Sequence, residues 1–266
     1  MSDRVILHLK DGDERTCLLP WNAEMRQNLI DCGQDPARVA GKTLRLSTPE
    51  RGIFEIKAAD IASLELPAPH CLIRDLLSPQ EAERAMAHVL AHEHEFLDST
   101  VSDEGNQNAS SADTRFRRSR ILNDIQDMAP LVASKLHVLL PEIWPQLRLP
   151  QLPLTKLECQ ITAHGDGDFF NTHTDNGMPD IAHRQVSYVY YFHQEPKRFT
   201  GGHLRFYNTW LAGGLNTAGA LAADIEPPRN SLMVFASHLH HEVTPIRCES
   251  TALADQRLTI NGWLCL

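Results

Sequence analysis

The chain has 266 residues, of which 42% are apolar and 22% charged, a globular composition that excludes a mostly disordered or fibrous protein. Asp and Glu (34) outnumber Lys and Arg (25), and the formal charge of -9 excludes the broad positive field of a general nucleic-acid binder. The opening MSDRVILHLKDGDERT breaks its apolar run at Lys10, and no later run approaches the roughly 18 apolar residues of a membrane span. No signal peptide and no membrane partner are therefore expected. Six scattered cysteines without a CxxC pair suit reduced thiols in the cytoplasm better than a zinc or disulfide framework.

Residues 1–66 read as a small β-rich appendage of unassigned role. Val5, Leu7 and Leu9 alternate, Asp11-Gly12-Asp13 marks a turn, and a short run follows at Thr16–Leu19. Asn22 is placed to cap a helix carrying Met25, Leu29 and Ile30, with Gly33 expected just past its end. Short β-type runs resume at Thr43–Leu46 and Ile53–Ile56, and Pro67 and Pro69 put a boundary near residue 66. Ser78-Pro79-Gln80-Glu81 then opens a helix with a capping box and a first-turn proline. The polar run Asp98–Thr114 has no core-forming periodicity and reads as a long mobile loop, a substrate lid or else a disordered surface loop with no role, since unstructured loops beyond roughly 12–15 residues are usually functional or disordered. A second helix carries Leu131, Val132, Leu136, Leu139 and Leu140 and is expected to stop at Pro141. Beyond Pro153 come seven or eight short strands punctuated by Gly, Pro and Asn. Helices followed by strands in this way predict a mainly β, α+β domain over residues 67–266, a sandwich or jelly roll.

The chemistry concentrates in that strand region. In Gly165-Asp166-Gly167-Asp168-Phe169-Phe170-Asn171-Thr172-His173-Thr174-Asp175, residues two apart share a strand face, so His173 and Asp175 can offer one nitrogen and one carboxylate oxygen to a single metal. Ser237-His238-Leu239-His240-His241-Glu242 supplies candidates for a third ligand. Two histidines and one carboxylate with open positions are the ligand set of non-haem Fe(II) oxygenases.

Read together, GDGDFFNTHTDNG, RQVSYVYYFH, TGGHLRFYN, SLMVFASHLHHEVTPI and RLTINGWL resemble, in order, the motifs of the 2-oxoglutarate/Fe(II)-dependent dioxygenases, in their prolyl 4-hydroxylase-like branch. The resemblance covers residues 67 to 266 and is strongest after 154. It implies a double-stranded β-helix core, with His173, Asp175 and His241 as metal ligands. His241 is favoured over His240 and His238 because Glu242-Val243 and Pro245 follow it. It implies that Arg257 grips the far carboxylate of 2-oxoglutarate, with Tyr191 helping, and leaves Arg247 as the alternative. The implied cofactors are Fe(II), 2-oxoglutarate as cosubstrate, and ascorbate as reductant.

Some positions depart from the family. His164 stands where a tyrosine is usual, Tyr191-Phe192-His193 replaces the usual strand ending, and the segment from His241 to Arg257 is long. These residues line the family's pocket, so the substrate is left as a protein, a peptide or a small molecule. Arg115-Phe116-Arg117-Arg118-Ser119-Arg120 reads as a solvated basic stretch, and its family counterpart leads from a lid into the core. The expected activity is hydroxylation of an unactivated carbon, a prolyl or other amino-acid side chain included, with release of succinate and carbon dioxide. The rival readings are a jelly-roll isomerase or hydrolase, and a non-catalytic binding module on a dioxygenase core. No oligomeric state is implied.

Overall fold

Alternation sets the first strands: β1 (Arg4–Leu9) buries Val5, Leu7 and Leu9 on one face and pairs antiparallel with β2 (Glu14–Leu18). Asn22 caps α1 (Ala23–Gln34), its side chain accepting from the Met25 amide at 2.9 Å. Gly33 does not follow this helix but lies inside it. A Cβ there would sit 2.6 Å from the Leu211 Cβ, so glycine is required by close approach and not by helix termination. One turn, α2 (Pro36–Val39), leads to the hairpin β3 (Thr43–Ser47) and β4 (Ile53–Lys57), then to β5 (Ile61–Leu66). The sequence does not announce β5, because its buried Ser63 and Glu65 mask the apolar pattern.

The structure, a computed structural model, describes residues 3–99, 101–102, 110–111, 115–123, 125 and 128–266. After β6 (His70–Arg74), Ser78 opens α3 (Pro79–Ala91) through a reciprocal capping box with Glu81. Five short strands follow: β7 (Leu97–Asp98), β8 (Val101–Ser102), β9 (Ser110–Ser111), β10 (Arg117–Arg118) and β11 (Arg120–Leu122). Most of the run read as a lid or a surface loop, 100, 103–109 and 112–114, lies outside the described residues.

The helix expected to stop at Pro141 instead runs on: α4 spans Met128–Leu147 and contains Pro141 and Pro145. An interior proline costs about 3 kcal/mol. Beyond Pro141, Ile143, Trp144 and Leu147 are all buried, each worth roughly 1.5–3 kcal/mol, and together they offset the proline cost. The strands β12 (Lys156–His164), β13 (Phe169–His173), β14 (Arg184–Tyr191), β15 (Thr200–Gly201), β16 (Leu204–Ala212), β17 (Leu215–Ile225), β18 (Ser231–Ala236), β19 (His241–Val243), β20 (Ile246–Arg247) and β21 (Arg257–Cys265) complete the chain.

Two units result, Met1–Pro69 with Phe206–Ala223, and His70–Arg205 with Asp224–Leu266. The sequence suggests one boundary near residue 66 and keeps 206–223 with the later strands; the structure groups that hairpin with the first unit. In the first unit β2, β1, β5 and the later part of β16 lie side by side, with β17 on β16. Its core gathers Leu7, Leu29, Leu46, Leu64 and Leu211.

In the second unit one antiparallel sheet runs β6-β18-β14-β21-β12-β11-β7, and a smaller ladder runs β10-β13-β19. On β14, Val186, Tyr188 and Tyr190 join Val89 of α3 and Leu136 of α4 in the main core. Ser187, Val189 and Tyr191 therefore point to the opposite face. All six cysteines are free thiols. Among the described residues no helix is long and apolar enough to cross a membrane.

Candidate active site

Antiparallel pairing of β13 with β19 places His173 directly opposite His241. Their rings lie 4.2 Å apart. Each ring's Nδ1 faces a backbone carbonyl, Asn171 at 2.7 Å for His173 and Leu239 at 2.9 Å for His241. Carbonyls accept only, so Nδ1 carries a proton, and the neutral ring then has its lone pair on Nε2, the tautomer a metal needs. Both Nε2 atoms stand 3.6 Å from the Asp175 carboxylate, one from each oxygen.

Asp175 follows β13 and is fixed by its own backbone, whose amide donates to the Ser237 carbonyl at 2.8 Å. Ser187 donates to Asp175 Oδ2 at 2.6 Å and lies 2.9 Å from the Ser237 hydroxyl. Burial alone would raise the Asp175 pKa. His241, His173 and the Ser187 hydroxyl outweigh burial and hold the carboxyl well below the usual range. Burial moves His241 the other way, down to about 4, with His173 adding to the shift and Asp175 opposing it.

The three groups are thus two imidazoles and an ionised carboxylate, with ligand atoms all within 4.8 Å of one another. That donor set fits one divalent metal on one face with the other positions open. Glu158, His183 and Cys265 are equally close. However, Glu158 already pairs with Lys156 at 2.7 Å and Arg184 at 2.9 Å, cations that oppose a metal ion.

Apolar rings wall the centre. Phe170 stacks on His173 at 3.5 Å, and Phe235 meets His241 edge-on at 4.6 Å. Arg117 covers Phe170 from 4.8 Å and donates through Nε to Ser119 at 3.0 Å. Desolvation pulls its guanidinium pKa down to about 10, with Asp175 opposing. This arginine of the basic stretch lines the cavity and is not a solvated surface group.

Deeper in the same cavity lies Arg257, 2% exposed. Its Nε donates to the Gly202 carbonyl at 2.9 Å, and Tyr191 lies beneath its guanidinium at 5.1 Å. Gly202 has φ +66°, and a Cβ there would be 2.6 Å from the Arg257 Cδ. The second glycine of TGGHLRFYN therefore makes room for this arginine, whereas the first lies against the Pro245 backbone. Arg257 Nη2 and the Tyr191 hydroxyl are buried without a hydrogen-bond partner. Such orphaned donors fit a missing carboxylate, and a guanidinium fork suits that shape.

The structure brings together every residue that the sequence favours: His173, Asp175, His241, Arg257 and Tyr191 all line one cavity. His238 is exposed, and neither it nor His240 joins the metal-capable cluster. Arg247 is exposed on β20, away from the cavity lining. Ser187, Ser237 and the inward turn of Arg117 escape the sequence reading. A lone serine among the apolar residues of VSYVYY is the available signal for the first.

A family model described as the 2OG-Fe(II) oxygenase superfamily matches residues 159–265, the stretch that carries the cluster and the arginine. An uncharacterized PKHD-type hydroxylase from Synechocystis sp. is 34% identical over 204 residues, 76% of this chain. Over residues 159–265 the chain is thus similar to the 2-oxoglutarate/Fe(II) oxygenase superfamily. The match spans 65% of that Synechocystis relative's length.

Solved structures agree on the fold. A Pseudomonas putida prolyl-4-hydroxylase superposes with TM-score 0.52 and 23% identity, covering 74% of this chain and 92% of that one. A Trichoplax adhaerens prolyl hydroxylase, in complex with a hypoxia inducible factor oxygen degradation domain peptide fragment, gives 0.52 and 20%, covering 74% and 84%. The superfamily's cofactors are Fe(II) and 2-oxoglutarate, and the donor set and orphaned donors described above fit both.

Proposed function

We propose that this chain is an Fe(II)- and 2-oxoglutarate-dependent hydroxylase, with residues 70–205 and 224–266 as its catalytic unit. One observation carries the reading. The two-histidine, one-carboxylate cluster shares a single cavity with a buried arginine whose Nη2 has no acceptor. An isomerase or hydrolase on the same sheets has no use for that arginine, because it binds no second dicarboxylate. A binding module without chemistry has no use for the cluster.

His173, Asp175 and His241 hold the metal, and Ser187 and the backbone of Asn171 and Leu239 orient them. Arg257 and Tyr191 hold the far end of 2-oxoglutarate. When bound, the iron and 2-oxoglutarate together supply oxygen activation, with succinate and carbon dioxide as coproducts. Phe170 and Phe235 keep the centre apolar, which limits water and strengthens the charged contacts inside.

The substrate is a protein, a peptide or a small molecule bearing an unactivated C–H bond. The Trichoplax neighbour was solved with a peptide fragment, so prolyl peptides are the first class to test. The test is anaerobic loading with Fe(II), then oxygen, 2-oxoglutarate and a panel of peptides and amino acids. Succinate release matched by one oxygen atom added to a panel member supports the reading. No 2-oxoglutarate turnover by the metal-loaded protein, with or without substrate, overturns it. Residues 1–69 with 206–223 are proposed as an accessory unit.

A further inference from the structure

His164 stands at the end of β12, directly opposite Arg257 on β21. It is 2% exposed and lines the cavity. Its Nδ1 lies 3.4 Å from Arg257 Nη1. A guanidinium only donates, so Nδ1 accepts, and a neutral ring must then carry its proton on Nε2. Burial, with Arg257 and Arg117 adding to it, holds the His164 pKa well below the usual histidine value, which keeps the ring neutral. Yet Nε2 is buried without a partner. Arg257 Nη2 and the Tyr191 hydroxyl, lining the same cavity, are orphaned too. Three buried donors, of which only the Tyr191 hydroxyl can also accept, suit a carboxylate, whose two oxygens offer about four acceptor sites.

We propose that His164 donates from Nε2 to the far carboxylate of 2-oxoglutarate, as a third holding group beside Arg257 and Tyr191. The inference rests on the hydroxylase reading and deepens it. Nδ1 also steadies Arg257, so one ring both orients the guanidinium and shares its ligand. A neutral donor suits this place, because a second full positive charge beside Arg257 would face strong repulsion in a dry pocket.

The test compares 2-oxoglutarate with oxalate by calorimetry on Mn(II)-loaded protein. Oxalate chelates the metal but has no far carboxylate. His164→Phe should weaken 2-oxoglutarate binding about 10- to 100-fold, the effect of one hydrogen bond to a charged group, and leave oxalate and Mn(II) affinity unchanged. His164→Gln, whose amide can accept from Arg257 and donate to a carboxylate, should restore binding to within a few-fold. Unchanged 2-oxoglutarate affinity in His164→Phe, or an equal loss for oxalate, overturns the proposal.

Arg257→Ala separates the two levels. If it too leaves 2-oxoglutarate binding intact, the hydroxylase reading fails. If it abolishes binding while His164→Phe does nothing, the His164 role alone fails. Long-range proton–nitrogen NMR of the unaltered, Zn(II)-loaded protein needs no substitution of the site. The His164 Nε2–H signal should shift with 2-oxoglutarate and stay put with oxalate, and the reverse pattern overturns the proposal.

Discussion

Single side chains in the cavity are held by partners that the chemistry itself does not consume. Asp175 is ionised because His241 and His173 outweigh its burial, and Ser187 fixes one of its oxygens. Asp175→Ala should abolish Fe(II) binding, measured by anaerobic titration, since two imidazoles alone make a poor site. Ser187→Ala should keep the ligands and lose about 10- to 100-fold in metal affinity, the usual cost of an outer-shell partner. Equal affinity in Ser187→Ala would show that the Asp175 backbone contact to Ser237 suffices. Arg257→Ala should cost 2-oxoglutarate binding about 30- to 4,000-fold, from roughly 2–5 kcal/mol for one partner of a desolvated charged pair. Metal binding should persist there, because no ligand touches Arg257.

At the scale of elements, α4 and α1 show where burial overrides a local rule. Pro141 is exposed, while its helix buries Leu136, Ile143, Trp144 and Leu147. Pro141→Ala restores a backbone donor without disturbing that stripe. It should raise the melting temperature by a few degrees, from about 1–3 kcal/mol of helix stabilisation. Gly33 is the opposite case. Gly33→Ala would improve helix propensity on an isolated peptide, yet its Cβ would meet the Leu211 backbone carbonyl at 2.8 Å. A lowered melting temperature is the expected outcome; a raised one would mean that β16 yields to the added methyl. The capping box of α3 and the alternation of β1 needed no such correction, because their partners lie within a few residues in sequence.

For the molecule as a whole, buried histidines make acid the vulnerable direction. Burial pulls His193 down to about 4, with Lys197 and Arg257 adding to it, whereas an unfolded histidine titrates near 6.5. Between those values the unfolded chain binds more protons, so stability present above about pH 6.5 is lost as pH falls toward about 4. Glu158 acts in the same direction lower down. Burial would raise it, but Lys156, His183 and Arg184 hold it at about 2, so its contribution fades as pH drops below about 4.5. His193→Phe should flatten the decline between pH 6.5 and 4, by at most about 1.4 kcal/mol per pH unit. The His193 Nδ1 has no partner to lose. Thermal melts of both proteins across that range check this; parallel curves would remove His193 from the account.

Much of this protein is legible in its amino-acid sequence. His173 ends one strand and Asp175 lies two residues beyond it, a spacing visible in the sequence that brings both to one site. Motif order brings in His241 and Arg257, and short-range signals mark the caps and most strands. Other features depend on atoms far apart in the chain. The register that sets His173 against His241 and His164 against Arg257 belongs to pairs of strands, and no residue carries it alone. Gly33 and Gly202 have meaning only through Leu211 and Arg257, which approach them from distant segments. The grouping of 206–223 with the first unit rests likewise on pairing with β5. Local sequence determines what each segment prefers. Tertiary packing decides which preferences survive, because burial of several side chains at once outweighs a single proline or glycine, and because orphaned donors exist only where the fold excludes water.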